Sequence, residues 1–261
     1  DYNRKININN YDPNIMVNEN LNDKIKSYKI ATGKDYDLRK KHEFFKDFKK
    51  KEKNSSIVLP FTETSKIKEG NLLPLSMKSS SYVIDCNENG YYSVNYSDRY
   101  GFNNPDNAWD TQNIDYLILG DSMTYGSCVN RPDDIASVLR KVSKKNILNL
   151  SVPGSGPLLQ LAVLKEYFPR NVKNILFFFY EGNDIFNMLD ESKNVNLKKY
   201  LEKDYNQNLK NSVIEVNAII NQLVNKIYLN YLNQKKDKII NNQNNINNIS
   251  NEYKVIDFFK L

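Results

Sequence analysis

Three short clusters in this chain bring together residue types that acyl transfer uses. They are Gly120-Asp121-Ser122-Met123, Ser151-Val152-Pro153-Gly154-Ser155-Gly156 and Glu181-Gly182-Asn183-Asp184. A serine hydroxyl attacks a carbonyl once a base takes its proton. A glycine lets a backbone N–H approach a ligand closely, and an asparagine amide donates to the oxyanion that forms. Asp121 and Asp184 read as structural groups that accept hydrogen bonds from loop backbone, and the strand-end Tyr180 and Glu181 read as packing or pocket lining.

Other chemistries are restricted by scarcity. Histidine is the usual proton carrier near neutral pH, and the chain has one, His42. It lies amid Lys and Phe, before the strand that precedes the first cluster, with Arg39 three residues ahead of it. Two cysteines, Cys86 and Cys128, cannot build a four-thiolate zinc site or an iron–sulfur cluster, so neither a metal nor a cofactor is expected. The string GSGPLL lacks the third glycine of a dinucleotide fingerprint, and Gly120 to Thr124 lacks the second glycine of a GxSxG elbow.

The elements that must position the clusters follow from the apolar pattern. An apolar strand from Ile114 precedes the first cluster, a second from Ile147 to Leu150 precedes the second, and a third from Asn174 to Tyr180 precedes the third. Between them, about Pro132 to Val142 and Leu158 to Phe168 read as helices. Short apolar strands alternating with helices predict an α/β fold, a parallel sheet covered on both faces, with sites at the carboxyl ends of the strands.

The rest divides by composition. Residues 1–80 are rich in Asn and Lys and read as a polar N-terminal extension. Within it, Asp37 to Lys53 predicts a helix with Leu38, Phe44, Phe45 and Phe48 inward; its lysines form a solvated face, with anionic lipid or an acidic partner as the alternative. Residues 81–112 read as a hairpin around Asn87-Glu88-Asn89-Gly90 and a linker anchored by Trp109, and 113–261 as the α/β domain. After Asp184 the pattern is helical over Leu197 to Leu201 and Val213 to Leu232. Asn241 to Asn251 reads as a polar loop, and IDFFKL at the end starts another apolar segment.

At the three clusters the chain resembles the SGNH, or GDSL-type, hydrolase superfamily. Gly120 to Met123 matches its GDS block, with Ser122 on the nucleophile. Gly154 matches the glycine block by its spacing from Asn149, with Gly156 the alternative. Gly182, Asn183 and Asp184 match the GND block, with Asn183 on the oxyanion position. The stretches CNENGYY, SDRYGFNNP, GPLLQLAVLKEY and YEGNDIF resemble an uncharacterised bacterial branch of the superfamily. The resemblance implies a flavodoxin-like three-layer parallel sheet and a serine esterase acting on a carboxylic ester, such as an O-acetylated carbohydrate or a lipid. Ser122 is then the nucleophile, Ser122 N–H, Gly154 and Asn183 the oxyanion donors, and Gly120, Asp121, Gly182 and Asp184 their support.

One block departs from the pattern. The family's Asp-x-x-His motif has no counterpart, and the stretch after Asp184 is too short for two more strands. The expectation is a domain incomplete at its C-terminus, cut at Leu261, with the base a histidine beyond it. The competing readings are an O-acyltransferase and a non-catalytic binding module or pseudoenzyme of the same fold.

Composition bears on partners and compartment. Lys and Arg number 37 against 31 Asp and Glu, and the net charge of +6 is too modest to indicate nucleic acid. The longest apolar run, Ile175 to Tyr180, is too short to cross a bilayer. The first residue is Asp1 rather than Met, which leaves room for an upstream signal or membrane anchor. A disulfide between Cys86 and Cys128 would tie the hairpin to the nucleophile loop in an oxidising compartment, and two buried thiols in a cytosolic protein are the alternative. Periplasmic or membrane-anchored placement is preferred. Nothing in the composition bears on oligomeric state.

Overall fold

Ile114, Leu117, Ile118 and Leu119 are buried along a single strand, on both of its faces, and that strand organises the structure. A computed structural model describes residues 21–59 and 61–233. In chain order its elements are α1 (Leu21–Thr32), α2 (Lys41–Lys51), β1 (Ser55–Ile57), α3 (Phe61–Thr64), β2 (Tyr82–Ile84), β3 (Val94–Tyr96), a 3-10 turn (Asp106–Asp110), β4 (Ile114–Leu119), α4 (Ser122–Tyr125), α5 (Ile135–Ser143), β5 (Ile147–Asn149), α6 (Pro157–Tyr167), β6 (Val172–Phe177), α7 (Asp184–Glu191), α8 (Val195–Lys198) and α9, described over 213–233.

β4 lies between β5 and β6, and both pairs are parallel, with Tyr116 opposite Ile147 and Leu117 opposite Ile175. Helices cover both faces, as parallel strands require. Ala136 and Leu139 of α5 pack with Ile118 and Ile147 on one side. Leu158, Leu159, Ala162 and Val163 of α6 join Leu117 and Leu148 on the other. α6 is apolar nearly all round, which suits a helix buried on most of its surface. The protein is therefore mixed α/β with a small parallel sheet, in line with the α/β class read from the pattern.

A second sheet has the order β1-β2-β3, with β1 parallel and β3 antiparallel to β2. The β2–β3 pair is the hairpin read from the sequence, and Tyr82 and Tyr96 meet edge-on across it. Its connection is longer than a tight turn and runs from 85 to 93.

The stretch read as a polar extension contributes to the core from α2 onward. Phe45, Val58, Leu59, Leu73, Leu75 and Met77 share one apolar cluster with Leu117 and Leu148 of the parallel sheet. Phe44 and Phe48 pack at its margin, whereas Leu38 precedes the helix and is 65% exposed, contrary to the inward position expected for it. On α9, Val216, Ile220 and Val224 enter the same cluster at intervals of one helical turn. The polar tract at 241–251 and the final apolar segment lie outside the described residues.

β6 pairs with β4 alone among the described strands, and Ile175, Phe177, Phe178, Phe179 and Tyr180 keep substantial exposure. No described helix is long and apolar enough to cross a membrane.

Cys86, in the β2–β3 connection, is bonded to Cys128, which follows α4 across a separation of 42 residues. The bond ties the second sheet to the loop leaving Ser122. Replacing both cysteines with serine should lower the unfolding free energy by about 4 kcal/mol at most, the chain-entropy value for such a loop. Urea unfolding of the oxidised protein and the double variant measures it. Coincident curves would mean that the cross-link adds nothing.

Candidate functional site

The three clusters each follow a strand of the parallel sheet, and backbone hydrogen bonds at the strand ends draw them together. Val152 N–H donates to Gly120 O at 3.1 Å, Ser155 Oγ donates to the same oxygen at 3.1 Å, and Phe178 N–H donates to Leu119 O at 2.9 Å. The turn after β4 requires a glycine, because a Cβ at Gly120 would strike the Thr124 side chain and crowd Phe178.

Asp121 then folds the chain into α4. Its Oδ1 accepts from Met123 N–H at 3.1 Å, an N-cap that makes Ser122 the first helical residue. Its Oδ2 accepts from Asn183 Nδ2 at 3.1 Å. One carboxylate thus shapes the serine turn and holds the asparagine of the third cluster. Ser122 is half-buried, and its hydroxyl makes no hydrogen bond to another described residue.

In the second cluster the two glycines differ. Gly154 has φ +71, is exposed, and has open space where a Cβ would stand. Gly156 is buried, and its N–H is already donated to the Glu191 carboxylate. A Cβ at Gly156 would come within 2.7 Å of Met188 N. The Gly156 N–H is thus satisfied within the protein, while the space beside Gly154 is open.

In the third cluster Asp184 is fully buried, and its Oδ2 accepts from Tyr180 N–H at 2.8 Å, closing the loop on itself. Burial raises its carboxyl above the ordinary value; the Tyr180 N–H opposes the shift and the nearby Asp121 charge adds to it. Gly182 lets the chain pass the Tyr180 ring, which a Cβ there would meet at 2.6 Å.

Beneath the clusters runs a buried amide network that motif reading does not single out. Asn104 and Asn149 exchange two bonds: Asn104 Nδ2 donates to Asn149 O at 2.8 Å, and Asn149 N–H donates to Asn104 Oδ1 at 2.9 Å. Asn149 Nδ2 reaches Thr124 O at 2.8 Å and Asn103 Nδ2 reaches Tyr125 O at 2.9 Å, so both carbonyls at the end of α4 are held from below. Asp98 anchors the network, accepting from Tyr100 N–H, Phe102 N–H, Asn104 Nδ2 and Trp109 Nε1. Burial raises the Asp98 carboxyl above its ordinary value, and those four donors work against the rise. The sequence signal for Asp98, Asn103 and Asn104 was the stretch from Ser97 to Trp109, read as a linker. Trp109 does anchor that stretch.

Compared with protein-family models, curated proteins and solved structures, the chain returns no significant match. The site therefore rests on its own geometry.

His42 is on α2, which packs against β1, and its ring stacks on Tyr231 of α9. Neither neighbour belongs to the clusters. No group of three or more metal-ligating side chains occurs among the described residues.

Glu191, at the end of α7, accepts from Gly156, Leu158 and Leu159 N–H and so caps α6 from a distance; the intervening residue, Pro157, has no N–H to satisfy. It is wholly buried, and burial pushes its carboxyl up to about 7, against those donors. A carboxyl with a raised folded value keeps its proton in the native state where the unfolded chain has released it. Stability should therefore fall as pH rises from about 4.5 to about 7, by on the order of 3 kcal/mol. Glu191→Gln should flatten this slope in unfolding measured across that window. An unchanged slope in the variant would place the titration elsewhere.

Proposed function

We propose that this protein acts on carboxylic esters by acyl transfer to Ser122, as an SGNH-type hydrolase. The observation that carries the reading is the bond from Asn183 Nδ2 to Asp121 Oδ2, which joins the third cluster to the nucleophile's own turn. The strand order β5-β4-β6, with β4 first in the chain, agrees with the start of a flavodoxin-like sheet, where ligands sit beyond the carboxyl ends of the strands at the point of reversal.

In this reading Ser122 Oγ attacks the acyl carbonyl carbon and gives its proton to a base. The carbonyl electron pair moves onto oxygen, which Gly154 N–H and the Asn183 amide stabilise together with Ser122 N–H. Collapse of the tetrahedral adduct breaks the bond to the alcohol, which leaves with a proton. Water then releases the acyl group, and a second alcohol in place of water makes the same site a transferase.

The position of His42 favours a second reading, a module that holds an ester without turnover, because the chain's one imidazole is stacked on Tyr231. A fluorophosphonate separates the two, since it needs an activated serine and an oxyanion site and no leaving-group protonation. Ser122 Oγ should bond its phosphorus as the P–F bond breaks and fluoride leaves, and the phosphonyl group appears as a mass shift on the peptide containing that residue. Asn183→Ala should slow labelling by about 100-fold, the usual worth of one oxyanion donor. Absence of adduct, or labelling that persists in Ser122→Ala, would refute the nucleophile assignment.

A further inference from the structure

A cavity of about 510 Å3 lies between α1 and the β2–β3 connection, within the ~300–1,000 Å3 range of small-molecule sites. One face of α1 turns to it, because residues 24, 27, 28 and 31 recur at three- and four-residue spacing. Tyr36 follows that helix, and Glu88 and Asn89 of the connection close the opposite side. None of Ser122, Gly154 and Asn183 lines it, so it is separate from the three clusters.

Its walls are built in advance of any ligand. Cys86 is bonded to Cys128, and Asn89 Nδ2 donates to Cys128 O at 3.1 Å, so the connection is fixed on both sides of Glu88. Asn87 Nδ2 donates to Asp37 O at 2.6 Å, and Asp37 N–H donates to Gly90 O at 2.9 Å, which joins the connection to the segment after α1. Gly90 has φ +88, and a Cβ there would come within 2.6 Å of the Tyr28 ring, so backbone lies against that ring. The Tyr28 and Tyr36 rings stand 5.7 Å apart with their planes at 73°, two aromatic walls near a right angle.

The lining decides what fits. Aromatic faces carry the negative part of the ring quadrupole and attract a cation within about 6 Å. Of the nearby carboxylates, Asp35 is matched by Lys29 at 2.7 Å and Asp37 by Arg39 at 2.6 Å. Asp23 and Glu88, which line the cavity, make no ion pair with a described residue. Lys24 lines it too, which leaves two carboxylates against one ammonium, a net negative lining in a protein whose charge is +6. No Leu, Ile, Val, Met or Phe is present to favour an uncharged apolar ligand.

From these features we infer that the cavity binds a quaternary ammonium group. Such a cation has no N–H to donate, so it gains from ring faces and nearby carboxylate charge without needing acceptors at fixed positions. Tyr28 and Tyr36 would hold it, and Asp23 and Glu88 would supply the countercharge.

Calorimetric titration of the full chain with choline chloride at constant ionic strength tests this. Choline should bind with Kd below about 5 mM. The neutral alcohol with a tert-butyl group in place of the trimethylammonium has the same shape, and should bind about tenfold more weakly or worse. Tyr28→Leu and Tyr36→Leu should each weaken choline about tenfold, whereas Tyr28→Phe and Tyr36→Phe, which keep the ring face, should stay within about threefold of the parent. Glu88→Gln, an exposed change that leaves the packing intact, should weaken it about threefold. Co-sedimentation with phosphatidylcholine vesicles, abolished by Tyr36→Leu, would assign the ammonium to a lipid headgroup, and choline binding without co-sedimentation would assign it to a free solute. No binding of choline, equal binding of the neutral alcohol, or choline binding that Tyr36→Leu and Glu88→Gln both leave unchanged would overturn the proposal.

Discussion

The reciprocal pair between Asn104 and Asn149 is the interaction on which the site depends. A buried amide must find partners, because leaving one unpaired costs about 1–3 kcal/mol. Here the partners are those that fix the serine turn. Asn149 joins β5 to α4 through Thr124 O, Asn104 joins the segment before β4 to β5, and Asp98 holds Asn104. Arg140 completes the ring from α5, donating to Asn104 Oδ1 and to Ile147 O. Ser122 is therefore presented by a turn with fixed carbonyls below it, and that rigidity is what a preformed oxyanion site requires.

A second constraint ties the remaining loops. Glu191 fastens the end of α7 to the first turn of α6, so the loop bearing Gly154 and the helix opened by Asn183 share one buried carboxylate. The cost is a carboxyl held out of water, visible in its raised titration. The disulfide does similar work on the far side, securing the exit of the Ser122 turn to the second sheet.

Local pattern made the parallel strands legible. The runs read from Ile114, over 147–150 and over 174–180 are short and largely apolar, and each is followed by a cluster rich in glycine and polar side chains; the third strand itself lies two to three residues earlier, at 172–177. The hairpin was readable for the same reason. Less legible was anything set by distant contacts. Leu73 and Leu75 lie in the stretch read as a polar extension, yet tertiary packing draws them into the core beside Phe45, which the helix pattern had already turned inward. Asn103 and Asn104 looked like linker residues because nothing local marks a buried amide. Glu191 caps a helix that begins 34 residues before it, a pairing no short window contains. The Gly156 N–H is committed to Glu191, a partner 35 residues away that spacing within the cluster could not reveal.

The central claim is spatial: one bound oxygen must be reachable by groups from three strand ends. A crystal structure of the protein carrying a phosphonyl group on Ser122 would test it most directly. The account predicts the phosphonyl oxygen within about 3.2 Å of both Gly154 N and Asn183 Nδ2. An oxygen turned to solvent, with Gly154 N and Asn183 Nδ2 too far apart to meet one atom, would contradict it.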